Sequence, residues 1–228
     1  MTIVASGELS LGVNTTVTRS IACELGLSGT AQICMDQAAV RSLAGRPSGA
    51  ICFCDFYNKF PIPALGGALQ GGYYMGSVSS PANYLLVIAP NATGCACCSW
   101  KTDNSISPNT DSTNDGYANT RNGMASSTHP AGNFCATRSL SGFSDWYLSS
   151  NNELGTISGN QGSAPAGEGF VTSGGKGNLS WQSTQCQPSP LFDNYGTIRN
   201  MANNKIYRGA KSGGYSVYRV RAVRRIAF

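Results

Sequence analysis

Nine cysteines, one histidine and eleven acids are the residues of this 228-residue chain best equipped for chemistry. The thiols stand at Cys23, Cys34, Cys52, Cys54, Cys95, Cys97, Cys98, Cys135 and Cys186, an odd number that cannot all pair. Cys52-x-Cys54 lacks the two-residue gap of zinc ligand pairs; Cys95 and Cys98 have it, but Cys97 lies between them and the chain offers a single histidine to complete a site. In an extended strand Cys95 and Cys97 share one face while Cys98 points to the other, so the spacing reads as small, buried, apolar side chains. His129 precedes Pro130 in an expected turn, and no serine elbow or Cys–His motif frames it. Glu153 and Glu168 form only a formal pair for glycoside hydrolysis, which needs two carboxylates facing a cleft. Asp103, Asp111 and Asp115 offer oxygen ligands in a polar loop but match no calcium-loop pattern. The scattered glycines make no phosphate cradle. The expectation is a protein without turnover, metal or cofactor.

Charge points to how the chain closes on itself. After Asp193 come Arg199, Lys205, Arg208, Lys211, Arg219, Arg221, Arg224 and Arg225, with no acid among them. Clustered cations neutralise phosphates, but no helix-turn-helix, finger or RNA-binding signature accompanies these, so nucleic acid is not an expected partner. In a terminal strand Tyr218, Val220, Ala222, Arg224 and Ile226 share a face, placing Arg224 in an otherwise apolar row. A buried guanidinium needs a carboxylate, and Asp145 or Glu153 would supply it. Asp145, Trp146, Glu153 and Arg224 are therefore expected to tie the last strand to the middle of the domain.

The elements that must position these residues are short. Only 12% of residues are charged and 28 are glycine, and Ser, Thr and Asn are abundant, which favours turns and strands. The fold expected is α+β and β-rich. Residues 60–100 carry no charge, and Tyr84–Ala89 is apolar on both faces, as a central strand would be. Cys97–Thr102 is its expected partner after a Pro90–Gly94 turn. Residues 103–115 form a polar loop, a helix is expected around Pro130–Arg138, and Ser150 with Glu153 has capping-box spacing for a second. Residues 155–178 are Gly- and Ser-rich and read as a long exposed loop. No apolar run reaches the ~20 residues of a membrane span, so no membrane insertion is expected. Met1–Gly7 has neither a basic nor an apolar leader region, so a reducing, intracellular site of assembly is expected.

The first part of the chain repeats itself. Ser6-Gly7, Ser28-Gly29 and Ser48-Gly49 each head a short alternating apolar stretch, and the second and third end in Asp36 and Asp55. Asp36 would cap a short helix with Val40 and Leu43 buried and Gly45 as its stop, and Asp55 would begin another. Segments this small bury little surface alone, so residues 1–62 read as an attachment or assembly region. Residues 63–67 read as a Pro- and Gly-containing linker, and 68–228 as the main domain.

Arg41, Leu43, Gly45, Ser48, Gly49 and Asp55–Lys59 resemble the N-terminal region of virion proteins of tailed phages, particularly those infecting cyanobacteria. The later chain resembles the lectin-like domain at the C-terminus of the Legionella collagen-like adhesin family, a distant relative of the C-type lectin fold with long loops. Its landmarks occur in order: Gly71–Tyr74, Tyr84–Pro90, Trp100–Thr102, Asp115–Thr120, His129–Ala131, Gly142–Leu148, Glu153-Leu154, Trp181–Gln185 and Val220–Arg225. Ser149-Ser150 and Gln185 depart from the family, which has Pro-Ser or Pro-Thr and a Glu at those places.

The resemblance implies a virion tail-fibre or baseplate adhesin, assembled in a host cytoplasm and recognising a host surface glycan without catalysis. It also implies attachment to other tail proteins through residues 1–62 and a homotrimer. A purely structural decoration protein is the alternative, and a polysaccharide-degrading enzyme the third reading. Aromatics stack on sugar faces and amides serve hydroxyls, so the expected contacts are Trp181, Gln185, Asn194, Tyr195, Asn203, Asn204, Tyr207 and Arg208, in loops.

Overall fold

The alternation of Tyr218–Ala227 makes a strand of ten residues, and most of the domain is built on it. The computed structural model describes residues 21–25, 27, 33–56, 62–170, 178–186, 193–213 and 217–228. The chain divides into two compact units, Met1–Ile62 and Pro63–Phe228.

In the first unit, helix α1 (Ile21–Glu24) and helix α2 (Ala38–Ala44) gather Ile21, Val40, Leu43, Ala44 and Phe56 into a small core. Gly45 ends α2 in the left-handed conformation at φ 69°, where a residue without Cβ is favoured. Asp36 does not cap this helix. Gln37 holds the cap position and Asp36 pairs with Arg41 at 2.7 Å instead. Asp55 closes a 3₁₀ turn, Phe53–Phe56, by accepting from Cys52 N–H at 2.8 Å. The first Ser-Gly copy and most of the second lie outside the described residues.

The second unit is mixed α and β, with a nine-stranded sheet and short helices. Its strands are β1 (Ala68–Leu69), β2 (Gly72–Val78), β3 (Tyr84–Ile88), β4 (Cys95–Cys98), β5 (Tyr147–Leu148), β6 (Leu179–Gln185), β7 (Tyr195–Asn200), β8 (Ile206–Ala210) and β9 (Tyr218–Ala227). The main path runs β1-β2-β3-β9-β6-β7-β8, and β4 and β5 pair with β9 off that path. The C-terminal half of β9 pairs with β3 from Val223 to Ala227, and its N-terminal half with β4 from Tyr218 to Arg221. β4 is therefore not the partner of β3; a one-turn helix, α3 (Asn91–Gly94), redirects the chain onto the free part of β9.

Residues 63–67 are not a free linker. Gly66 N–H donates to Tyr74 O and Gly67 O accepts from Tyr74 N–H, so they pack on β2. Three further helices follow: α4 (Gly116–Asn119), α5 (Pro130–Ala136) and α6 (Asn151–Gly159). α6 and the 3₁₀ turn Gln161–Ser163 occupy ground the glycine content assigned to a loop. Leu154 and Ile157 of α6 join Met75, Leu86, Ile88, Tyr147, Phe170, Met201 and Val223 in one core, and this burial outweighs the low helix propensity of Gly155 and Gly159. Among the described residues no helix is long and apolar enough to cross a membrane.

Candidate functional site

β7 and β8 form the outer hairpin of the sheet, and the sequence-predicted contacts divide there into two groups. Trp181 is fully buried: its Nε1 donates to Cys98 O at 3.0 Å and its ring meets Tyr218 edge-on at 4.9 Å. The hairpin is shaped around it. A Cβ on Gly209 would stand 2.7 Å from the Trp181 ring, and one on Gly196 3.1 Å from both Trp181 and Trp100. Gln185 is also buried, and its Oε1 accepts from Ser107 N–H at 2.9 Å and Lys211 Nζ at 2.6 Å. Neither can reach a ligand, so both are corrected from contacts to core. β6 is covered on both sides, which its mixed Ser, Gln and Thr content hides from a sequence reading.

The remaining six are at the surface. Asn194, Tyr195, Asn203, Asn204, Tyr207 and Arg208 are all exposed, Tyr195 at 38% and Tyr207 at 45%. Tyr195, Tyr207 and Arg208 lie on strands rather than loops. Tyr195 pairs with Ala210 and Thr197 with Arg208, so Tyr195, Ile206 and Arg208 share one face; Tyr207 stands on the other, opposite Ile198. The two tyrosines therefore flank the edge strand and do not make one platform.

The hairpin turn is held from beneath by Arg199, which the sequence reading passed over. Its side chain is 6% exposed and makes no ion pair among the described residues. Nη1 donates to Asn204 O and Oδ1 at 2.7 and 2.6 Å, and Nη2 to Asn151 O and Oδ1 at 2.9 and 2.7 Å. Burial lowers its pKa. Asn204 adopts φ 58°, which Asn tolerates, and thereby presents both oxygens to the guanidinium. The amide-rich turn is thus fixed to the start of α6.

The four closure residues separate into two devices. Arg224 Nε donates to Asp145 Oδ1 at 2.5 Å, Nη1 donates to Gln70 Oε1 at 2.6 Å, and the guanidinium lies 3.9 Å from the Phe143 ring centroid. Trp146 is buried beside this pair, with Nε1 donating to Phe143 O. Glu153 takes no part in that pairing. Its carboxylate is buried and accepts from Ser150 N–H at 2.7 Å, Gly116 N–H at 3.1 Å and Tyr147 OH at 2.8 Å. Burial pushes its pKa up against the pull of these donors. The Ser150 contact is one half of a capping box, so the same spacing that starts α6 also seats α4 on β5.

Several groups that could do chemistry are buried or already paired. His129 Nε2 shares a 2.9 Å hydrogen bond with Ser107 Oγ, a pairing no sequence spacing reveals. Both residues are buried, and Thr128 Oγ1, not a carboxylate, stands at Nδ1. Burial, with Lys101 and Lys211 nearby, lowers the His129 pKa to about 4. Lys211 is itself buried, pushed down to about 8 chiefly by burial, and holds Ser105 O and Gln185 Oε1 with its ammonium 4.9 Å from the Trp100 ring centroid. Glu168 is committed to Arg221 at 3.1 Å. Asp103 pairs with Lys101 and Asp115 with Arg225, so each already has a cation. Cys135 and Cys186 are buried as expected of apolar thiols, but Cys34, Cys52 and Cys97 are exposed and Cys95 and Cys98 half-buried. Among the described residues no group of three His, Cys, Asp or Glu side chains could hold a metal ion.

No protein-family model matches the chain, and no curated protein matches it.

Proposed function

We infer that this chain is a virion protein of a tailed phage, a tail-fibre or baseplate adhesin that binds a host surface glycan without turning it over. The observation that carries this is the β7–β8 hairpin, whose strands expose Tyr195, Tyr207 and Arg208 and whose adjoining turns expose Asn194, Asn203 and Asn204. Aromatic rings bind the apolar faces of sugars, and amides and guanidinium serve their hydroxyls. The ordered landmarks of the lectin-like family support the same reading, as does the packing of the chain's tryptophans into the sheet, which leaves tyrosine for the surface. In this proposal residues 1–62 attach to other tail proteins, three copies assemble, and the nine-stranded sheet is the frame of a C-type-lectin-like domain. Nucleic acid, metal and cofactor have no part in it.

A structural decoration protein is the second reading, favoured by one observation. Ile206 and Tyr207 are exposed on the terminal strand of the sheet, where a neighbouring subunit could add a strand. Labelled full-length chain incubated with host cells separates the two. Binding that disappears after periodate oxidation of the cell surface supports the adhesin, and binding to purified virions but never to cells supports the decoration.

A further inference from the structure

β4 and the start of β9 bring two arginines and two thiols to one face. Cys95 lies opposite Arg221 and Cys97 opposite Arg219, and directly opposed residues of an antiparallel pair share a face. Beside them is a shallow depression of about 490 Å³, lined by Asn91, Ala92, Cys95, Cys97, Glu168 and Arg219. That volume lies within the ~300–1,000 Å³ of small-molecule sites.

The two arginines differ in what they face. Arg221 is buried and satisfied: Nε donates to Ala89 O at 2.6 Å, and Nη2 to Glu168 O and Oε2, both at 3.1 Å. Asn91 N–H donates to the same Oε2 at 2.5 Å. Arg219 is half-buried and makes no ion pair among the described residues; its guanidinium donates to Cys95 Sγ, 4.0 Å from Nη1. Burial raises the Cys95 pKa, so that thiol remains protonated and gives the guanidinium no counter-charge. Two guanidinium charges against one carboxylate leave a net charge of one positive at the depression. Glu168 Oε1 makes no hydrogen bond among the described residues and stands beside the depression as an acceptor held still by the bonds to Oε2.

A half-buried guanidinium without an anion and a fixed carboxylate oxygen ask for one ligand with a negative group and hydroxyl donors. We propose that this depression is a second subsite of the glycan-binding domain and takes a carboxylated hexose: the sugar carboxylate on Arg219 as a charge-assisted pair, and a ring hydroxyl donating to Glu168 Oε1. It rests on the glycan-binding reading but uses a surface separate from the β7–β8 contacts. A neutral hexose lacks the partner for Arg219, and a small anion lacks the donor for Glu168.

The test is a titration of the full chain, followed by amide NMR, with D-glucuronate, D-glucose and acetate in turn at one ionic strength. Saturable shifts confined to residues around Asn91–Cys97, Gly167–Glu168 and Arg219 are expected with glucuronate, with at least tenfold weaker binding of glucose and acetate. Arg219→Gln should weaken glucuronate at least tenfold, and Arg219→Lys severalfold, because the planar fork is lost while the charge stays. Cys97→Trp, which fills the depression from an exposed position, should block binding with Arg219 intact. No saturable shift, an unaffected Arg219→Gln chain, or equal affinity for acetate (an adventitious ion only) would overturn the subsite. A chain that still binds periodate-sensitive host cells while failing this titration loses the subsite alone; one that fails both loses the adhesin as well.

Discussion

Replacing Glu153 with leucine should be among the most damaging single changes in the domain, because three buried donors converge on one carboxylate. Gly116 N–H, Ser150 N–H and Tyr147 OH lie 3.1, 2.7 and 2.8 Å from its oxygens. Leucine fills most of the volume but accepts nothing, and each orphaned donor costs about 1–3 kcal/mol. A total of at least about 3 kcal/mol corresponds to a fall in Tm of roughly 6–12 °C for a domain of this size. Tyr147→Phe alone removes one of three donors and should cost about 1.5 kcal/mol. In the Glu153→Leu background the same Tyr147→Phe change removes an orphan, and should cost nothing or restore part of the loss. Urea unfolding of the four proteins, followed by tryptophan fluorescence, measures the cycle. A Glu153→Leu chain within 2 °C of the parent would refute the buried node, and so would a Tyr147→Phe cost equal in both backgrounds.

Other outcomes follow from the same contacts. Arg224→Met should lower stability by about 1–3 kcal/mol, seen as a shifted urea midpoint, because Asp145 and Gln70 lose a charged donor; unchanged melting and unchanged ligand binding would remove Arg224 from the closure. His129 has a folded pKa near 4, below its free value of 6.5, so folding favours its neutral form. The stability it contributes is complete above about pH 6.5 and declines as pH falls towards 4, by roughly 3 kcal/mol, and His129→Gln should flatten that decline in a pH series of urea midpoints. Trp181→Ala should cost about 3–5 kcal/mol in stability, whereas Tyr207→Ala should stay within about 0.5 kcal/mol of the parent, so only the second can report on binding. Arg199→Met should loosen the Asn203–Asn204 turn, read as faster amide exchange of Lys205 and Ile206 with β9 exchange unchanged.

The sequence made the framework legible wherever a local rule governs. Capping-box spacing located α6, Pro130 located α5, and the two-faced apolar run Tyr84–Ala89 located the strand beside β9. The odd arginine in an apolar row marked Arg224, since a buried cation must find an acceptor somewhere in the fold. Long-range pairing was not legible. β4 follows β3 in the chain but pairs with β9, more than a hundred residues on, and no local pattern encodes that choice. Trp181 and Gln185 looked like sugar contacts because tryptophan and amide suit sugars; the burial of Trp181 depends on Gly196 and Gly209, one and two strands away, leaving room for the indole, and that of Gln185 on Ser107 and Lys211. Arg199 and Lys211 were missed for a related reason. Their partners are carbonyl and amide oxygens, and neutral acceptors carry no charge pattern to search for.

The proposed adhesin would recognise glycan through the β7–β8 hairpin. The most direct measurement is a glycan array probed with the full chain, the Tyr195→Ala/Tyr207→Ala chain and the Arg208→Ala chain, each first shown to melt like the parent. Selective, saturable binding by the parent to a related set of glycans, weakened at least tenfold in the variants, is the result predicted. Equal signals from all three proteins, or none from the parent on its own host's polysaccharide, would contradict it.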